Sequence, residues 1–225
     1  MEFEVRDFNG SKEFFGGPGA ARWQELGEVL HGTRAQLQPS DQKGKVGTPI
    51  FDPKATNAAL TRHAGNLGWA RVSVPADLRA FGKDWDAGKG SVLAEWQFSN
   101  YPFLWNNIIR SEAVFQSGET INPLTREVEA LVIVTKSGSF PASNSTLYFE
   151  QANAQIDTVT TLGVFEIPIR LVGLMVPAAT RIKADWNEYP ARYGREAAVT
   201  NERDFLVSRG RAGQYGNPST RFESI

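Results

Sequence analysis

The chain has 225 residues, with 24 lysines and arginines set against 25 aspartates and glutamates for a net charge of -1, and it has no cysteine and only two histidines. That length supports one domain with a sizeable core; the missing cysteines exclude disulfides and thiolate zinc sites, and the near-zero charge requires any nucleic-acid surface to be local. The opening Met1–Asp7 has no signal-peptide pattern and no apolar run is long enough to span a bilayer, so a cytoplasmic protein without a membrane partner is expected.

Along the chain, Pro18 to Leu37 reads as a helix, because Trp23, Leu26, Val29 and Leu30 recur at helical spacing. Pro39–Gly47 is a polar, glycine-punctuated loop whose Lys43 and Lys45 either meet phosphates or are simply solvated. A second helix is expected over Lys54–Asn66, and strands over Arg71–Val74 and near Asp84–Asp86. His31 and His63 fall in the two helices and are read as structural. Ala87-Gly88-Lys89-Gly90 signals a turn; a tight hairpin centred there sets Asp86 near Ser91, and bringing Asp86 to Glu95 would need a wider or bent connection.

Val92-Leu93-Ala94 then leads into Glu95-Trp96-Gln97, a buried strand interrupted by a carboxylate. Strand geometry places Glu95, Gln97 and then Ser99 on one face. Pro102–Gln116 is a helix with proline in its first turn. Val128–Thr135 is a central strand buried on both faces, Ser145–Leu162 a helix, and Pro168–Val176 another buried strand, which together form a crossover between parallel strands. The last fifty residues show no clear periodicity and carry several arginines, so they read as an irregular extension with local positive character. The expected fold is α/β: a mixed central sheet flanked by helices, in one domain over 1–225, with a core at about 20–178 and an extension at about 179–225.

An acid followed by a Glu-x-polar strand suits metal-dependent phosphodiester hydrolysis. Two carboxylates and a backbone carbonyl can hold a hard divalent cation, which polarises the phosphate and activates water. A lysine commonly stands two residues beyond the glutamate; Gln97 can orient a water but is neither a cation nor a strong base. The bland reading is that Glu95 pairs with a nearby arginine or lysine.

The stretch Glu95-Trp96-Gln97-Phe98-Ser99-Asn100-Tyr101-Pro102-Phe103-Leu104, with Asp86 upstream, resembles the active-site strand of the BglII-type restriction endonucleases, a family of the PD-(D/E)XK superfamily with E-x-Q in place of E-x-K. Further motifs follow in the same order. Ser40-Asp41-Gln42 with Lys45-Val46-Gly47 and Ile50-Phe51-Asp52-Pro53 resembles the N-terminal loop, Phe140–Ser145 with Leu147-Tyr148 the DNA-reading loop, and Pro168–Leu174 a later core strand, so that the likeness covers roughly residues 20–200.

The resemblance implies a restriction-endonuclease-like fold and a Mg²⁺-dependent type II enzyme. Its partners would be palindromic double-stranded DNA, centred on GATC (AGATCT or a close relative), and a second copy of the chain as a homodimer. It implies that Asp86 and the Trp96 backbone carbonyl bind the metal, and that Glu95 and Gln97 hold the waters of the metal, including the nucleophile. Asp84, on the same strand face, is the alternative ligand. No general base is evident; a substrate phosphate oxygen or bulk solvent is left to accept the proton. Ser99, Asn100, Asn144 and Ser145 are implied base contacts, as are Tyr193 and Arg195 in the extension; asparagine reading adenine and arginine reading guanine are chemically apt. Read without the resemblance, Asn144-Ser145 would cap the following helix. One departure is Arg71-Val72-Ser73, where the family has an asparagine near the active site. Two alternatives are a sequence-specific DNA-binding relative that no longer cleaves and a structure-specific repair nuclease.

Overall fold

The computed structural model describes residues 1–142, 146–191, 194, 196–210 and 220–225. Its described residues form two mixed sheets. The first is built from β1 (Glu2–Phe8), β4 (Ala70–Ser73), β5 (Asp84–Lys89), β6 (Val92–Trp96), β7 (Ala130–Lys136) and β8 (Ile169–Met175), in the order β1-β8-β7-β6-β5-β4. β6, β7 and β8 run parallel, and the other pairs are antiparallel. The second contains β2 (Ala35–Pro39), β3 (Pro49–Phe51), β9 (Thr180–Glu188), β10 (Val199–Arg209) and β11 (Thr220–Ser224), in the order β11-β10-β9-β2-β3.

Alternation along the central strands divides the apolar side chains between two cores. Val92, Ala94, Trp96, Val132 and Val134 face one side, where α2 (Ala20–Gly32) and α3 (Pro53–Asn66) bring Leu26, Leu30 and Leu60. Leu93, Leu131 and Ile133 face the other, against Leu104 and Ile108 of α4 (Pro102–Ser117) and Ala152 and Ile156 of α5 (Phe149–Thr161). Glu95, two residues beyond Leu93, therefore points toward α4. β7 is buried at all of its positions, as the continuous β-branched run predicts. No helix among the described residues is long and apolar enough to cross a membrane.

Four expectations need correction. The first helix stops at Gly32, and residues 35–39 form β2, whose parallel pairing with β9 is a long-range contact that helical spacing cannot show. The chain also adds β1 and a short helix, α1 (Ser11–Gly16), before it.

The C-terminal extension is not irregular. It forms β9, β10 and β11, and Ala184, Trp186, Phe205, Val207 and Phe222 join the first core. β10 buries just Phe205 and Val207 and β11 just Thr220 and Phe222, so the period-2 signal is diluted by charged residues.

The turn between β5 and β6 lies at Gly90-Ser91, not at residues 87–90. Lys89 pairs with Val92, Gly88 with Leu93 and Ala87 with Ala94. Gly90 has φ 68°, in the first central position where a type II′ hairpin favours glycine. The same register, continued by one residue, sets Asp86 opposite Glu95, so a tight hairpin suffices.

Finally, α5 begins at Phe149 with Tyr148 as its N-cap residue. The helix therefore starts four residues later than the Ser145 expected.

Candidate active site

The site sits where β5 and β6 leave their ladder and α4 begins to cover the sheet. Opposed residues of an antiparallel pair share a face, so Asp86 and Glu95 project together. The backbone N–H of Trp96 donates to Asp86 Oδ2 at 2.9 Å and fixes that carboxylate at the end of β6. The Trp96 side chain goes to the opposite face, where its Nε1 donates to Thr61 Oγ1 at 3.1 Å.

Glu95 is 5% exposed. It makes an ion pair with Arg110 of α4, and the Asp86 carboxyl lies beside it. Burial pushes its carboxyl well above the usual range; Arg110 opposes this and Asp86 reinforces it. The pairing with arginine expected of a purely structural glutamate is thus present, and the same carboxylate also faces Asp86. Two carboxylates side by side favour a proton or a cation between them, so this pair has the electrostatic character expected of a cation site. Among the described residues no three His, Cys, Asp or Glu side chains converge on a metal position. Two carboxylates with a carbonyl still suit Mg²⁺, which keeps several of its waters.

Gln97 is buried and held at both ends. Its Nε2 donates to Ser99 Oγ at 3.1 Å and to the Asn100 carbonyl at 3.3 Å, while its Oε1 accepts from Asn107 Nδ2 at 2.9 Å. The side chain thereby ties β6 to the exposed Ser99-Asn100 segment. Asp84 has other partners: Ser73 Oγ donates to its Oδ1 at 3.1 Å, and Arg71 lies 3.8 Å from its Oδ2. Arg71 and Ser73, at the departure from the family pattern, thus occupy Asp84 on the β4 side. Asp86, Glu95, Gln97 and Ser99 line one cleft of about 520 Å³ together with Asn107 and Arg110.

Asn144, Ser145, Tyr193 and Arg195 lie outside the described residues. The segment that follows residues 143–145 is tied to the site, because the Leu147 N–H donates to the Ser99 carbonyl at 3.0 Å. Lys43 and Lys45 are exposed on the 39–47 loop. His31 and His63 are in α2 and α3, the former near the Met1 carbonyl and the latter near Thr33.

Sequence reasoning missed Asn107 and Arg110. A signal was available: Leu104, Asn107, Ile108, Ser111 and Val114 form the buried stripe of α4, and polar residues within such a stripe must find partners. Ser111 accepts from Trp85 Nε1 at 2.9 Å, Asn107 serves Gln97, and Arg110 serves Glu95.

The model of the family described as restriction endonuclease BglII/BglIII matches residues 3–174. The type II restriction enzyme BglII of Bacillus subtilis is 36% identical over 98% of this chain and 96% of its own length. The crystal structure of BglII complexed with a DNA 16-mer superposes with a TM-score of 0.91 at 33% identity, covering both chains completely. The structure of free BglII, also fully covered, gives 0.75 at 30% identity. The geometry at β5, β6 and α4 therefore lies within a known enzyme fold, and the chain belongs to the BglII/BglIII family of type II restriction endonucleases.

Proposed function

We propose that this endonuclease cuts both strands of a short palindromic DNA duplex centred on GATC, AGATCT or a close relative, acting as a homodimer with Mg²⁺. The observation that carries the reading is that Asp86 and Glu95 meet just beyond the last β5–β6 ladder pair, Ala87 and Ala94, and line one cleft, with the Trp96 N–H holding Asp86. Type II restriction endonucleases generally use a divalent metal; here Asp86, Glu95 and the Trp96 carbonyl would hold it. When bound, Mg²⁺ polarises the scissile phosphate and lowers the pKa of its water. Gln97 spends both amide hydrogens on Ser99 and Asn100 and one acceptor position on Asn107. The remaining lone pair of its Oε1 can accept from the attacking water and orient it.

The DNA in the similar BglII complex supports a duplex partner, and a twofold palindrome is met most simply by a twofold dimer. Ser99, Asn100, Asn144 and Ser145 would read bases next to the cleavage machinery. Tyr193 and Arg195 would do so from the β9–β10 connection, making the extension part of one domain over 1–225. Digestion of plasmid DNA with Mg²⁺, followed by sequencing of the fragment ends, tests this reading. Discrete fragments ending within GATC-centred palindromes are expected; random ends, or specific binding without cleavage in every divalent metal, would refute it.

A further inference from the structure

α4 carries a buried cation that the E-x-Q motif does not account for. Arg110 is 4% exposed, yet it stands in the wall of the cleft. Its Nη2 donates to the Asp84 carbonyl at 2.9 Å and also reaches Glu95. Its Nη1 lies 3.4 Å from the Phe81 carbonyl, and its guanidinium lies over the Trp85 ring at 5.0 Å. Nε is buried and has no hydrogen-bond partner among the described residues.

The backbone is shaped around this group. Gly82, which ends the 3-10 helix Ala76–Phe81, has φ 139°, and a Cβ there would overlap Arg110 Nη1. Only glycine leaves that space at that conformation. Neither the carbonyl contacts nor the glycine seat is needed to fill a core, where leucine or methionine would avoid the cost of burying a charge.

We propose that Arg110 is a positioning residue of the cleavage reaction: reaching from α4, it holds Glu95 beside Asp86 and supplies the fixed positive charge that Gln97 cannot. The proposal rests on Asp86 and Glu95 being the cation site. Gln97, a neutral amide, leaves two facing carboxylates without a cation two residues along the strand. Arg110 compensates Glu95 from behind, so that Asp86 and the remaining coordination face stay directed into the cleft. Lysine in place of Arg110 would keep the charge and lose the fork that grips Glu95 and the Asp84 carbonyl together.

The test is single-turnover cleavage of a duplex containing the enzyme's own site, with binding measured separately by gel shift in Ca²⁺. Arg110→Met is expected to cut at least 100-fold more slowly while its affinity in Ca²⁺ stays within about threefold of wild type. Arg110→Lys should recover at least a tenth of the wild-type rate. Gly82→Ala, which leaves Arg110 in the chain but takes its seat, should slow cleavage at least tenfold. Gly82→Ala and Arg110→Lys, which leave Glu95 intact, serve if Arg110→Met does not fold. Wild-type rates in Arg110→Met, or in Gly82→Ala if Arg110→Met does not fold, would overturn the proposal, as would rate losses matched by equal losses of affinity and not relieved by Arg110→Lys. Asp86→Ala separates the two readings: if it too cuts at the wild-type rate, the cation site itself is misplaced; if it is inactive while Arg110→Met cuts normally, only the role of Arg110 falls.

Discussion

Gln97 occupies the position where a lysine is common, and its three hydrogen bonds make it a rigid part of the site. Asn107→Ala should release its Oε1. Leaving that buried acceptor unsatisfied should cost about 1–3 kcal/mol in urea denaturation, and cleavage should slow roughly tenfold with DNA affinity retained. A second buried group, Lys136, titrates away from the chemistry. Burial pulls its ammonium down from 10.5 to about 7, with Glu150 opposing the shift. Its Nζ donates to the Leu147 carbonyl at 2.8 Å. Between about pH 7 and 10.5 the unfolded chain keeps the proton that the folded one has released, so this group makes stability rise with pH. Lys136→Met should therefore gain most stability below pH 7, on the order of 2–4 °C in Tm per kcal/mol, and the gain should vanish toward pH 10.5. A constant difference in Tm across that range would contradict the assignment. Asp86, Glu95 and Gln97 were legible as candidates because a carboxylate inside an apolar strand demands a partner. Arg110 was not, because its partner lies across a sheet–helix contact that sequence spacing does not display.

At the scale of elements, the β5–β6 hairpin decides whether a site exists. One residue of slip would turn Asp86 and Glu95 to opposite faces. The sequence showed that a turn was present, but a glycine at both 88 and 90 left its centre ambiguous by two residues. Gly88 is reserved for packing, since a Cβ there would press on Val72 and Leu124, whereas Gly90 takes the positive φ. Gly90→Val should therefore destabilise the fold by about 1–2 kcal/mol, seen as a lower urea midpoint with an unchanged slope. At temperatures where it remains folded it should cut close to the wild-type rate, since the ladder from Ala87 to Ala94 is untouched; an inactive, fully folded Gly90→Val would show that the turn does more than set register. Long buried elements such as β7, β8, α3 and α4 were readable from local pattern. β2, β9, β10 and β11 were not, because they are short of apolar residues and β2 finds its parallel partner, β9, far away in sequence.

Across the whole molecule, near-neutral charge and a nuclease fold coexist because function depends on where the charges lie. Two sheets converge on one core, which carries β2 and β9 of the second sheet against the strands that bear the acids. If the reading loop and the extension contact bases, recognition and cleavage share that frame through Leu147 and Ser99. Binding should weaken steeply with added salt, as phosphate contacts require. The most direct test of the central claim is the Mg²⁺-dependent cleavage rate of Asp86→Ala beside wild type on a defined duplex containing AGATCT. Wild type should cut both strands at symmetry-related phosphates, and Asp86→Ala should fall by at least 10³-fold while still binding the duplex in Ca²⁺. Equal rates for the two proteins would contradict the placement of the active site between β5 and β6.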